Sequence, residues 1–180
     1  MKKVIVLLTA ICLLAVSPAL TGWDPGKVEQ QRLAAEETIA RFKENKPGIE
    51  LYFDNAYGYA VFPKILKGAF LVGAAQGSGL VYEKGEIVGK AILSQVTVGF
   101  QGGGQSYSEI IFFSDKVAFD SLINNQMKFS GTASAVAYTE GASAAVDYEG
   151  GISVFTLGEV GLMLEASMGG QQFKFEPTHK

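Results

Sequence analysis

The chain is nearly devoid of the two side chains most used in catalysis and metal binding. It has one cysteine, Cys12, and one histidine, His179, among 180 residues. Cys12 lies inside an N-terminal apolar run, so the chain beyond that run has no thiol chemistry and no disulfide. His179 is next to the C-terminus, which leaves serine–histidine and cysteine–histidine catalysis without a base. A zinc site of the usual kind lacks ligands. There is no GxxxxGK phosphate loop. No apolar run reaches the ~20 residues of a comfortable membrane span. Basic charge is also scarce: without Lys2 and Lys3, 13 basic side chains face 18 acidic ones. That balance disfavours nucleic acid as a partner. It also disfavours attraction to an anionic membrane by total charge, so any such attraction has to be local.

What is present begins with Met1-Lys2-Lys3, an apolar run from Val4 to Val16, and the small residues Ser17, Pro18 and Ala19. This is the three-part pattern of a secretory signal peptide, assigned to residues 1–22. Ile11 precedes Cys12 where a lipoprotein signal needs a small residue, so Cys12 reads as part of the apolar run. The expected location is the periplasm or the cell envelope.

Residues 23–48 form an N-terminal amphipathic unit. Val28, Ala35, Ile39 and Phe42 recur at helical spacing, predicting a helix from Lys27 to Lys46. Asp24-Pro25 starts it and Pro47-Gly48 stops it. Ile49 to Asn55 predicts a further short helical piece. The period then becomes two, as in Gln95 to Gln101, Val160 to Ser167 and Gln172 to Glu176, which predicts half-buried strands. Ile110 to Phe113 is a continuous apolar run and predicts a strand covered on both faces. Turns are expected at Lys84-Gly85, Glu140-Gly141, Gly150-Gly151 and Gly169-Gly170. One more helix is expected to Asn124, capped by Ser114 with Asp115 in its first turn.

Many of the 22 glycines fall inside strand patterns. Ser130 to Ala137 and Ala142 to Ala145 are almost entirely small. Such residues weaken a flat strand and suit a tightly curled one. The expected fold is therefore α+β and β-rich: an N-terminal helix, a strongly curled antiparallel barrel-like sheet, and one internal helix.

The remaining candidates for chemistry are weak. The clusters Gly77-Ser78-Gly79 and Gly102-Gly103-Gly104 open no predicted helix, which a phosphate cradle needs. Glu109 precedes the apolar run IIFF, where a raised pKa would suit a general acid; a hydrated or paired acid at a strand mouth is the plainer reading. Alternation puts Glu165 on a polar face. Ser78, Ser106 and Ser108 have no base to activate them. No enzyme, metal or cofactor is expected.

GYAVFPKILKGAFLVGAAQGSGLVY, from Gly58 to Tyr82, resembles the opening of the SYLF domain, a lipid-binding domain also found in a yeast actin-patch regulator. The resemblance rests on Gly58, Pro63, Lys67, Gly68 with Phe70, and Gly77 with Gly79. VGFQGGGQSYSEIIFF (Val98 to Phe113) and VGLMLEASMGG (Val160 to Gly170) resemble two later blocks of that family. The resemblance implies a SYLF-like lipid-binding domain over residues 49–177. Eukaryotic relatives bind phosphoinositides and some bind actin. A secreted chain does not meet cytosolic actin, so anionic phospholipid or another envelope lipid is the implied partner.

On this reading PKILK joins two strands and forms a membrane-facing tip. Phe62, Ile65, Leu66 and Phe70 enter the interface, Lys64 and Lys67 touch phosphates, and Arg41, Lys43 and Lys46 extend the basic patch. The expected function is non-enzymatic binding of lipid or a membrane surface. The alternatives are a small outer-membrane β-barrel and a periplasmic protein-interaction scaffold.

Overall fold

A computed structural model describes residues 25–69, 72–98, 103–129, 148–158 and 169–178. Helix α1 (Pro25–Asn45) and the short α2 (Glu50–Asn55) lie where the helical spacing placed them. Pro25 suits a first helical position because its missing N–H would have no partner there. Gly48, at φ 90°, turns the chain between the two helices.

Seven strands follow: β1 (Gly58–Ala69), β2 (Val72–Glu83), β3 (Glu86–Val98), β4 (Gly103–Phe113), β5 (Lys128–Phe129), β6 (Ile152–Gly158) and β7 (Gly169–Pro177), with α3 (Lys116–Ile123) between β4 and β5. They form one antiparallel sheet in the order β5-β7-β3-β2-β1-β4-β6. Lys84 and Gly85 both have positive φ, the requirement of the tight hairpin turn that joins β2 to β3.

The chain is α+β and β-rich, but the expected strongly curled, barrel-like sheet does not form. Among the described residues the sheet is open and ends on β5 and β6. The barrel expectation came from glycines within strands, and those glycines serve packing. A Cβ at Gly58 would stand 2.6 Å from the Phe119 ring, one at Gly77 2.7 Å from Ile65, and one at Gly79 2.7 Å from the Phe62 ring. The glycines seat large neighbours on the sheet.

The sheet carries a core on each face, as strand alternation requires. On the outer face, Ala35 and Phe42 of α1, Ile49, and Tyr52 of α2 pack on Val61, Leu80, Tyr82, Ile110, Phe112 and Phe155. On the inner face, Phe119 and Leu122 of α3 pack with Met127 on Ala60, Val81, Ile111 and Phe113. Ile110 to Phe113 is thus fully buried on both sides.

Three local expectations are corrected. PKILK joins no strands: Pro63 to Lys67 lies within the continuous strand β1, whose register against β2 and β4 shifts between Val61 and Ile65. A β-bulge accommodates the proline, which cannot donate to the ladder. The cap of α3 is Asp115, not Ser114. The Asp115 carboxylate accepts from the Ala118 N–H at 2.9 Å, and the Ser114 hydroxyl donates to that carboxylate. Gly169-Gly170 begins β7. The proposed signal segment, Asp24, Phe70, the strand from Val160 to Ser167, the Glu140-Gly141 turn, Ser130 to Ala137 and Ala142 to Ala145 lie outside the described residues.

Candidate functional site

The bulge in β1 opens a cleft on the outer face. Its walls are the first half of α1 (Lys27, Gln30, Gln31, Ala34) and the β1–β2 ribbon (Pro63, Lys64, Ser78, Gly79, Leu80), and its volume is about 430 Å³. The reason is local. Helix α1 is held to the sheet by Ala35 and Phe42, both fully buried, and its first two turns carry polar residues on the sheet side. Thr38, also buried, returns its hydroxyl to the Ala34 carbonyl at 2.8 Å, a bond that tends to bend a helix. Opposite, Lys64 stands across from Ser78 in register. The floor is apolar, from Pro63 and Leu80. The rim is cationic and amide-bearing, from Lys27, Lys64, Gln30 and Gln31. Such a cleft can hold an anionic, partly apolar group by charge and hydrogen bonds.

The sequence-predicted site residues do not all meet there. Lys64 lines the cleft, and Leu66, on the same face two residues on, is 59% exposed. Lys67 is three residues from Lys64 in a strand, hence on the opposite face, where it is buried and has an interaction of its own. Phe62 and Ile65 are fully buried in the inner core and cannot enter a membrane. Phe70 lies outside the described residues. Arg41 and Lys43 sit roughly 10–14 Å further along α1 than Ala34, at ~1.5 Å per residue. Lys43 lies over the Phe53 ring at 5.2 Å, and Lys46 is buried over the Phe155 ring at 5.7 Å, where desolvation lowers its pKa. The basic patch is therefore divided, with Lys64 at one end of α1 and Arg41, Lys43 and Lys46 at the other.

Lys27, Gln30, Gln31 and Ser78 were missed as site residues. Lys27 reads in the sequence as a helix start and nothing more. Only the pairing of α1 with the β1 bulge brings it to Lys64, and no local spacing encodes that. Arg32, nearby on α1, is committed to Glu29 at 2.6 Å and to Glu36. Those bonds raise its pKa and leave the cleft to the lysines. Among the described residues no three His, Cys, Asp or Glu side chains converge as a metal site would need.

Fold and cleft together define an α+β protein with a helix-clad antiparallel sheet and a lysine-rimmed groove beneath its first helix. No family model matches the chain. It is 29% identical over 157 residues to Beta cell expansion factor A of Aeromonas veronii, a match that covers 83% of this chain and 59% of that protein. The chain thus spans about three fifths of the length of that relative.

Proposed function

We propose that this chain binds lipid without chemical turnover, taking the phosphate of an anionic phospholipid in the cleft between α1 and β1. The observation that carries the reading is the pairing of Lys27 and Lys64, from two separate elements, over an apolar floor. Each lysine near an anionic surface contributes ~1 kcal/mol. Leu66, 59% exposed on the same face of the sheet two residues from Lys64, adds apolar contact beside the cleft. The resemblance of Gly58 to Tyr82 to the SYLF domain supports the same ligand class. The N-terminal pattern of residues 1–22 supports delivery to a bacterial envelope. No described helix is long and apolar enough to cross a membrane, so attachment on this reading is to a surface. Sedimentation with vesicles of anionic and of zwitterionic phospholipid tests it. Binding to the anionic vesicles is expected to weaken when Lys27 and Lys64 are replaced by glutamine. Equal binding to both vesicle types, or binding indifferent to the two lysines, would sink the proposal.

A further inference from the structure

The inner face carries a second unusual feature, away from the cleft. Glu109 sits in β4 between Phe62 of β1 and Thr156 of β6 in register, and is 1% exposed. Gln171 sits in β7, which is separated from β4 by β1, β2 and β3. Four strand spacings of ~4.8 Å lie between them, yet Gln171 Nε2 donates to Glu109 Oε2 at 3.4 Å. The rings of Phe62 and Phe173 make a similar crossing at 6.0 Å. The two side chains therefore meet over the hollow of the face.

Each of these two groups also holds a buried oxygen with no partner, Oε1 of Glu109 and Oε1 of Gln171. An ionised carboxylate only accepts, and a carboxamide oxygen only accepts. A buried acceptor left without a donor costs ~1–3 kcal/mol, more if charged. One proton on Glu109 converts one of the two orphans into the donor that the other lacks.

We propose that Glu109 is a neutral carboxylic acid whose Oε1 proton is donated to Oε1 of Gln171, forming a two-bond acid–amide clasp that ties β7 to β4 and is released when the proton is lost. Burial raises the Glu109 pKa to about 7, against the smaller opposing pull of the Gln171 amide. Polar groups on this face among the described side chains include Lys67 of β1, Gln95 of β3, Tyr107 of β4 and Thr156 of β6. Tyr107 donates to Gln95 at 3.3 Å, and all four have interactions of their own. None of them is among the causes of the Glu109 shift. From α3, Lys116 and Asp120 are paired with each other.

The sign follows from which state holds the proton. Between the ordinary value of 4.5 and about 7, the folded chain keeps it and the unfolded chain does not. Stability from the clasp is complete below that window and is lost as pH rises through it.

Infrared spectroscopy of the full chain carrying isotopically labelled glutamate tests this. At about pH 6, inside the window, the wild type is expected to show the carbonyl stretch of one protonated carboxyl. Glu109→Gln should lack it. Absence of the band in the wild type overturns the proposal. In urea titrations, the folding constant of the wild type relative to Glu109→Gln is expected to fall by up to about tenfold per pH unit across the window; parallel pH profiles overturn it. Gln171→Leu leaves the acid but removes its partner, so the carbonyl band should persist and move to higher frequency. An unmoved band shows that Glu109 does not bond Gln171 and sinks the clasp even if Glu109→Gln fails to fold.

Discussion

The two halves of β1 make a sharp contrast. From Gly58 to Phe62 the strand is covered on both faces: Val61 packs under α1 and α2, and Ala60 and Phe62 belong to the core that α3 shares. From Lys64 to Gly68 the outer face is open, with Lys64, Leu66 and Gly68 exposed, while Ile65 and Lys67 remain buried on the inner one. Pro63 and the register shift stand at the division. The first half is committed to holding the fold. The second half is free on one side, and that side carries the cleft. One strand thus serves stability and recognition in succession, with a bulge re-aiming its side chains between the two.

The largest predicted effect lies on β4, against the covered half. Phe112, opposite Tyr59 in register, is fully buried and meets the rings of Tyr52, Phe53 and Phe155 at 5.5, 4.8 and 5.7 Å. Phe112→Ala should destabilise the chain by ~3–5 kcal/mol in urea unfolding. Leu66→Ala, in the open half, should change stability by no more than ~0.5 kcal/mol. Comparable losses at both positions would break the contrast between the halves.

Gly79 tests the boundary between them. It is buried in β2, where an added Cβ would press on the Phe62 ring and against the Val61 carbonyl. Backbone cannot yield as a flexible side chain can, so Gly79→Ala should cost ~1–3 kcal/mol as overpacking does. A neutral or stabilising result in thermal unfolding would return this glycine to the role of a bend in the strand.

The open half is sharpened by charge. Lys27→Gln with Lys64→Gln should remove ~2 kcal/mol of attraction, about a thirtyfold loss of affinity for anionic vesicles, with stability unchanged. Lys43→Gln, at the far end of α1, should leave vesicle binding as it was. If Lys43 matters as much as Lys64, the patch is continuous and the division of the helix into two ends is wrong.

These residues also show what could be read from sequence. The helices α1 and α2 and the doubly buried Ile110 to Phe113 were legible, because period and continuity are local properties. The open form of the sheet was not. A glycine that bends a strand and a glycine that seats a distant phenylalanine look the same until the phenylalanine is placed. The lysine pair failed for a simpler reason. In the sequence Lys64 and Lys67 read as a joint, and a joint has no faces; a strand does, and an odd separation sends them to opposite sides. Glu109 reads in the sequence as a hydrated or paired acid at a strand mouth, because its partner lies 62 residues away and no spacing announces it.

The smallest predicted effect sits on the inner face and runs opposite in sign to the Glu109 clasp. Asp115 caps α3, and its pKa is lowered first by the Ala118 N–H and then by the Ser114 hydroxyl. Because the folded value lies below the ordinary 3.8, the cap's contribution is complete above that value and is lost as pH falls through the folded one. Asp115→Asn keeps an oxygen that can accept from the helix N–H groups, so it should hold α3 in place and flatten the acid limb of a thermal-melt series. Asp115→Ala should lower the melting temperature above the ordinary value, with a deficit that shrinks as pH falls below it. Glu109 destabilises the fold when it loses its proton and Asp115 when it gains one, so the wild type should be most stable in mildly acidic solution. If Asp115→Asn leaves the acid limb as steep as before, the acid sensitivity of the inner face comes from some other carboxylate and the cap on α3 has no part in it.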